Sequence, residues 1–125
     1  MIYKKETYDI IGAAMDVHRT LGSGFLESIY QEALEIELKF RNIPHVSQQP
    51  IEIWYKTQYL TKYFIADLLC YNQIIVELKA VSNITSVHEA QIINYLKATK
   101  KELGIIINFG TDCLEYKRYL NTNKT

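Results

Sequence analysis

Cysteine, proline and glycine are all scarce in this sequence, and each shortage removes a class of protein. Two cysteines are too few for a disulfide framework, and their neighbours, LLCYN around Cys70 and TDCLEY around Cys113, lack the paired spacing of a zinc site. Both are expected to be ordinary buried or half-buried thiols. Five glycines and two prolines exclude a collagen-like or low-complexity chain. Long apolar runs are missing as well: none approaches the roughly 18 to 20 residues needed to cross a bilayer, so no membrane partner is expected. The opening MIYKKETYDI has no long apolar stretch after its lysines and no small-residue cleavage site. No secretory signal is read there, and the expected location is cytoplasmic. An excess of one charge is also absent. Lys+Arg 14 against Asp+Glu 14 gives a formal net charge of +0. Proteins that bind nucleic acid by bulk electrostatics are usually more basic, so any polyanion contact must come from local arrangement.

What is present is the balance of a folded protein. Apolar residues make up 48% of 125 residues and charged residues 22%, enough to build a core and too apolar for a disordered chain. The length predicts one domain over 1–125. Residues 6 to 21 read as a helix, with Ile10, Ala14, Val17 and Leu21 on one stripe and Ile11, Met15 and His18 beside it. Gly22 is placed as its stop. A second helix starts near Ser23–Gly24 and runs to about Arg41, with Leu26, Ile29, Ala33, Ile36 and Phe40 as its expected core stripe. Asn42 and Pro44 end it.

From His45 to Ala80 the chain is rich in β-branched and aromatic residues without a helical stripe. Three strands are predicted, about 46–56, 59–70 and 74–80, with turns near Thr57–Gln58 and at Tyr71–Asn72–Gln73. The runs FIADLLC and IIVELKA have the near-continuous apolarity of strands buried on both faces. Ser86 opens a third helix to about Lys101, with Ser86 and Glu89 spaced as a capping box and Lys97, Lys100 and Lys101 near its end. GIIINF and CLEYKRYL are two further strands, and NTNKT a polar tail. The order ααβββαββ gives an α/β or α+β fold: a mixed central sheet of about five strands flanked by helices, with the third helix as a βαβ crossover.

Three charges interrupt the two most apolar strands: Asp67, Glu77 and Lys79. Burying an unpartnered carboxylate costs several kcal/mol, so they need a reason. A hairpin centred on Asn72 sets Asp67 directly across from Glu77, and Lys79 shares the face of Glu77. Like charges across a sheet repel. A divalent cation between them would remove the repulsion, and oxygen-only ligands suit Mg²⁺ or Mn²⁺. The competing reading is a buried ion pair in which Lys79 neutralises one carboxylate while the other reaches solvent. Two further pairs stand at helical spacing: Glu27 with Tyr30 on helix two, offset from its stripe, and Gln91 with Tyr95 on helix three. Each pair alone is better read as a charge in a first turn or a polar helix stripe.

Taken together, these residues resemble a known family. GFLESIY, residues 24–30, matches the signature for which the GxxExxY proteins are named, a branch of the PD-(D/E)XK nuclease superfamily. Asp67, the Glu77-Leu78-Lys79 triplet, the helical Glu27 and the Q-x₃-Y pair Gln91 and Tyr95 each have the matching type and place. One departure is Ala66, where the superfamily name has Pro. The resemblance implies a restriction-endonuclease-like core and metal-dependent hydrolysis of nucleic-acid phosphodiesters. Asp67, Glu77 and the Leu78 carbonyl would hold Mg²⁺ or Mn²⁺, with Glu27 as a further ligand directly or through water. Lys79 would orient the attacking water, Gln91 would support Lys79 or a water, and Tyr30 and Tyr95 would contact phosphate. DNA is favoured over RNA as partner, and a second copy of the chain is the other candidate. A catalytically silent nucleic-acid-binding or protein-interaction module on the same fold is the alternative. Trp54, Tyr55, Tyr59 and Tyr63 on the first hairpin could stack on unpaired bases, form a dimer interface or pack under helices. Aromatic strand residues are usually structural, which favours packing or interface. His18, His45 and His88 show no ligand spacing.

Overall fold

The computed structural model describes residues 2–121. Its eight elements keep the predicted order: α1 (Lys4–Leu21), α2 (Glu27–Phe40), β1 (His45–Tyr55), β2 (Gln58–Cys70), β3 (Ile74–Lys79), α3 (Ser86–Thr99), β4 (Leu103–Asn108) and β5 (Glu115–Leu120). The strands form one sheet in sequence order. β3 and β4 are parallel neighbours joined through α3, and every other adjacent pair is antiparallel. The fold is the α/β core the sequence predicts. The polar tail beyond Asn121 lies outside the described residues. No described helix is long and apolar enough to cross a membrane.

The sheet divides two apolar clusters. The larger joins Ile10, Ala14 and Val17 of α1 and Tyr30, Leu34 and Leu38 of α2 to Leu68, Ile74, Val76, Leu78 and Ile105. The smaller joins Leu96 and Tyr95 of α3 to Phe64, Ala66, Leu69 and Ile75. Gly104 lets α3 approach β4, because a Cβ there would meet Ile92 Cδ1 at 2.8 Å. Pro50 lies on β1, an edge strand, the setting in which a sheet tolerates proline.

Three expectations change. The buried stripe of α2 is Tyr30, Leu34 and Leu38, whereas Leu26 and Phe40 are each 75% exposed and Ile29 and Ile36 are also open. Both stripes have helical spacing, so periodicity alone did not choose between them. The cap of α3 is one residue earlier than predicted: the Thr85 side chain accepts from the His88 N–H, and the His88 ring accepts from the Thr85 N–H. Glu89 instead receives the Tyr119 hydroxyl at 2.6 Å and Lys117 at 3.2 Å, tying α3 to β5. Cys70 is buried and Cys113 is exposed. Burial pushes the Cys70 thiol up to about 12, so it stays protonated.

Candidate functional site

The regular sheet ends where the acidic residues begin. The β2–β3 ladder runs through Cys70↔Ile74, Leu69↔Ile75 and Leu68↔Val76, the register that the turn at Asn72 predicts. The next step would pair Asp67 with Glu77. There the Asp67 side chain replaces the ladder: its Oδ2 accepts from the Leu78 N–H at 2.8 Å. Neighbouring β2 residues also change sides at this point. Phe64 and Ala66 belong to the cluster under α3, while Leu68 and Cys70 belong to the cluster under α1 and α2. Strict alternation would keep all four on one face. Asp67 sits at the reversal. Across from it on β1, Gln48 lies between the pairs Ser47↔Leu68 and Gln49↔Ala66 and has φ of 50°, a backbone conformation that non-glycine residues rarely hold and that concentrates at functional sites.

Electrostatics couple the acids. Glu77 is part-buried, and its carboxyl is pushed up to about 9, first by burial, then by the charge of Asp67 and a side-chain hydrogen bond to it. A backbone hydrogen bond from Asp67 and the charge of Lys79 oppose that rise. Glu27 is also raised, by burial and then by Asp67, with Lys79 opposing. Glu27 therefore feels Asp67 and Lys79 from the first turn of α2, and it lines with Asp67 a cleft of about 460 Å³ that includes Ser28, Gln31 and Gln48. Tyr95 is raised by burial and by the nearby charges of Glu77 and Asp67, and a side-chain hydrogen bond with Gln91 partly offsets the rise. Its ring stacks on Phe64 at 3.8 Å between centroids.

Among the described residues, Lys79 makes no ion pair with either carboxylate, so the simple neutralised pair is not formed. The donor chemistry of Asp67 and Glu77 fits a hard divalent cation: two coupled carboxyl oxygen sets with no cationic side chain bonded to them. The Leu78 carbonyl is the nearest backbone oxygen on the same strand to add to that set. In an extended strand a residue's N–H and C=O point to the same edge. The Leu78 N–H goes to Asp67, whereas the Lys79 carbonyl turns the other way and accepts from Phe109 N–H at 2.8 Å. The Leu78 carbonyl thus faces the edge where the β2–β3 ladder has stopped. Among the described residues, however, no group of three or more His, Cys, Asp or Glu side chains forms a metal-holding cluster. Glu27 joins Asp67 through its field and the shared cleft, and Glu77 is not part of that cleft's lining.

The remaining predicted residue, Tyr30, stands apart. It is 0% exposed and stacks on Phe109 at 4.6 Å. Its hydroxyl donates to the Gly22 carbonyl and accepts from Phe25 N–H. The tyrosine of the GFLESIY signature thus fastens the link before α2 and so places Glu27, instead of lining the cleft.

Two supporting residues escaped the sequence reading. Gln31 donates to the Asp67 carbonyl at 2.9 Å and to Glu35 at 2.8 Å, fixing the backbone at the reversal; its only signal is its place one helical turn after Glu27. The fully buried Asn108 holds the exit of β3. It accepts from Val81 N–H and Gly110 N–H and donates to the Val81 carbonyl and Glu115, each at 3.0 Å. Gly110 is required there, since a Cβ would lie 2.3 Å from the Val81 oxygen. A lone Asn after GIII announces none of this.

A mixed five-stranded sheet of this order, flanked by helices and with two strand acids where one ladder ends, defines an α/β domain with a candidate acidic site. The sequence matches the family model described as PD-(D/E)XK nuclease superfamily over residues 4–119, and the chain belongs to that superfamily. It is also similar in fold to the crystal structure of SSO0001, with a TM-score of 0.56 and 20% identity over 94% of this chain. The chain spans 59% of the length of that protein. Comparison with curated proteins gives no match.

Proposed function

We propose that residues 1–125 form one nuclease-like domain of the GxxExxY branch that hydrolyses nucleic-acid phosphodiesters, DNA in preference to RNA, with Mg²⁺ or Mn²⁺. The observation that carries this reading is that Asp67 and Glu77 come next to each other where the β2–β3 ladder ends, with Asp67 bound to the Leu78 N–H and neither acid in an ion pair among the described residues. Asp67, Glu77 and the Leu78 carbonyl would hold the cation, with Glu27 acting across the cleft. When bound, such an ion polarises a phosphoryl oxygen and lowers the pKa of water. Lys79 orients the attacking water and offsets charge that develops on the phosphoryl group. Gln91 and Tyr95 set the polar wall opposite Glu77. Tyr30 acts one step removed, by holding the start of α2. The experiment is cleavage of single- and double-stranded DNA and RNA with Mg²⁺, Mn²⁺ or chelator, beside Glu77→Ala. Divalent-dependent cleavage lost in Glu77→Ala is the expected result.

A second reading has one observation in its favour. The carboxylates do not gather into a three-residue cluster among the described residues, as fits a binding module that keeps the fold without the chemistry. Absence of cleavage by folded protein under every condition selects it.

A further inference from the structure

Away from the acids, the tip of the first hairpin meets the end of α3. Trp54, Lys56 and Thr57 face Lys97, Thr99 and Lys100 across a cleft of about 590 Å³. Of the expected packing or interface roles, packing under helices does not hold for the hairpin aromatics. Trp54 is 45% exposed, and Tyr55, Tyr59 and Tyr63 are more exposed still. The β1–β2 register shifts between Glu52 and Trp54, and a bulge of this kind re-aims a side chain. Trp54 rests against Tyr59 with centroids 3.6 Å apart, which covers part of the indole and fixes it while nearly half of the residue stays open. The three lysines of the cleft have no acidic partner among the described residues, and Lys56 lies over the Tyr55 ring at 5.4 Å. In a chain of net charge +0, three unpaired cations around one open indole are a local arrangement.

We infer that this cleft binds an unpaired nucleic-acid strand, with a base stacked on Trp54 and phosphates met by Lys56, Lys97 and Lys100. An open aromatic face needs an unstacked base, which a duplex does not offer, and a lysine-lined groove tracks a backbone without reading sequence. The same helix links cleft and acids: Thr99 is one turn, about 6 Å, beyond Tyr95. The inference deepens the nuclease reading by naming single-stranded substrate, and it rests on that reading only for the cleavage of a strand once bound.

The test is binding of a fluorescein-labelled 12-mer oligothymidylate and of a 12-base-pair duplex to the full chain in chelator, where cleavage plays no part. Trp54 is the single tryptophan, so its emission reports this cleft alone. The single strand is expected to quench that emission and to bind at least tenfold more tightly than the duplex. Trp54→Ala should weaken the single strand by roughly tenfold or more, while Trp54→Phe keeps most of the affinity. The slope of log K against log salt should be near −2, at about −0.7 per phosphate contact, and Lys97→Gln with Lys100→Gln should remove about 1.4 of it. Equal or tighter duplex binding, unchanged Trp54 emission at saturation, or an acidic peptide quenching it equally well would overturn the inference. A nuclease test that fails while oligothymidylate still quenches Trp54 leaves the cleft in place and removes only the chemistry.

Discussion

The two faces of β3 are made from alternate residues of one six-residue strand, yet they do different work. Ile74, Val76 and Leu78 are all fully buried in the large cluster under α1 and α2. On the other face Ile75 joins the small cluster, Glu77 follows it within the field felt by Tyr95 of α3, and Lys79 ends the strand. The apolar face locks the strand against two helices, so the polar face can carry a carboxyl far from its ordinary titration range. The site thus relies on its neighbours' packing as well as on its own hydrogen bonds, Leu78 N–H to the Asp67 carboxylate and Gln31 to the Asp67 carbonyl, which offset the repulsion between its acids.

The largest effect should come from cutting the apolar face. Leu78→Ala is expected to cost about 2–5 kcal/mol, read by urea denaturation, and to reduce activity only through loss of folded protein. If it lowers the rate of folded protein as much as a polar-face change, the division between faces is wrong.

Lys79→Ala and Lys79→Arg come next. Both should lose roughly 10²-fold in cleavage rate, as for removal of one transition-state donor, and both should keep cation affinity by calorimetry. Arginine holds the charge but places its donors in a planar fork, so near-wild-type rates in Lys79→Arg would mean that Lys79 serves only as a counter-charge.

The polar face should also give a pH signature. Glu77 is raised in the folded protein to about 9 from an ordinary value of 4.5, so the folded state holds its proton more tightly than the unfolded state does. Its stabilising contribution is full below the unfolded value and is lost as pH rises toward 9. In chelator, denaturation midpoints should therefore fall from pH 5 to pH 9, and Glu77→Gln should flatten the fall. Mn²⁺ should stabilise more at the alkaline end, because it acts on the native state by mass action. An unchanged pH profile in Glu77→Gln would remove Glu77 as its source.

The smallest effect lies outside β3, at the start of the helix that covers its polar face. Thr85→Ala should cost about 1 kcal/mol as loss of an N-cap, and Ser86→Ala much less. Equal costs would restore the predicted cap at Ser86.

Much of this was legible because it is local. The turn at Asn72 and the two-residue period of a strand set Asp67 against Glu77 before any tertiary contact is considered. The β1 neighbour of Asp67 was not legible in this way, because the hairpin tip pairs Tyr55 with Gln58 and the register shifts between Glu52 and Trp54 before Gln48 comes opposite Asp67. The helices and the crossover do arise from periodicity and element order. The α2 stripe did not, since two apolar stripes satisfied one spacing and only the sheet beneath selects Tyr30, Leu34 and Leu38.

The sequence by itself therefore determined the element order, the β2–β3 register and the residue types that meet at its end, because short-range geometry leaves few alternatives. Tertiary structure alone decided that β2 reverses its faces at Asp67, that Tyr30 is withdrawn onto Phe109, that Gln31 and Asn108 brace the strand ends, and that Trp54 stays open beside the α3 lysines. Those outcomes depend on which helix face meets which strand across tens of residues. Side-chain volume and the need to partner every buried polar group settle that choice, and neither can be read from spacing along the chain.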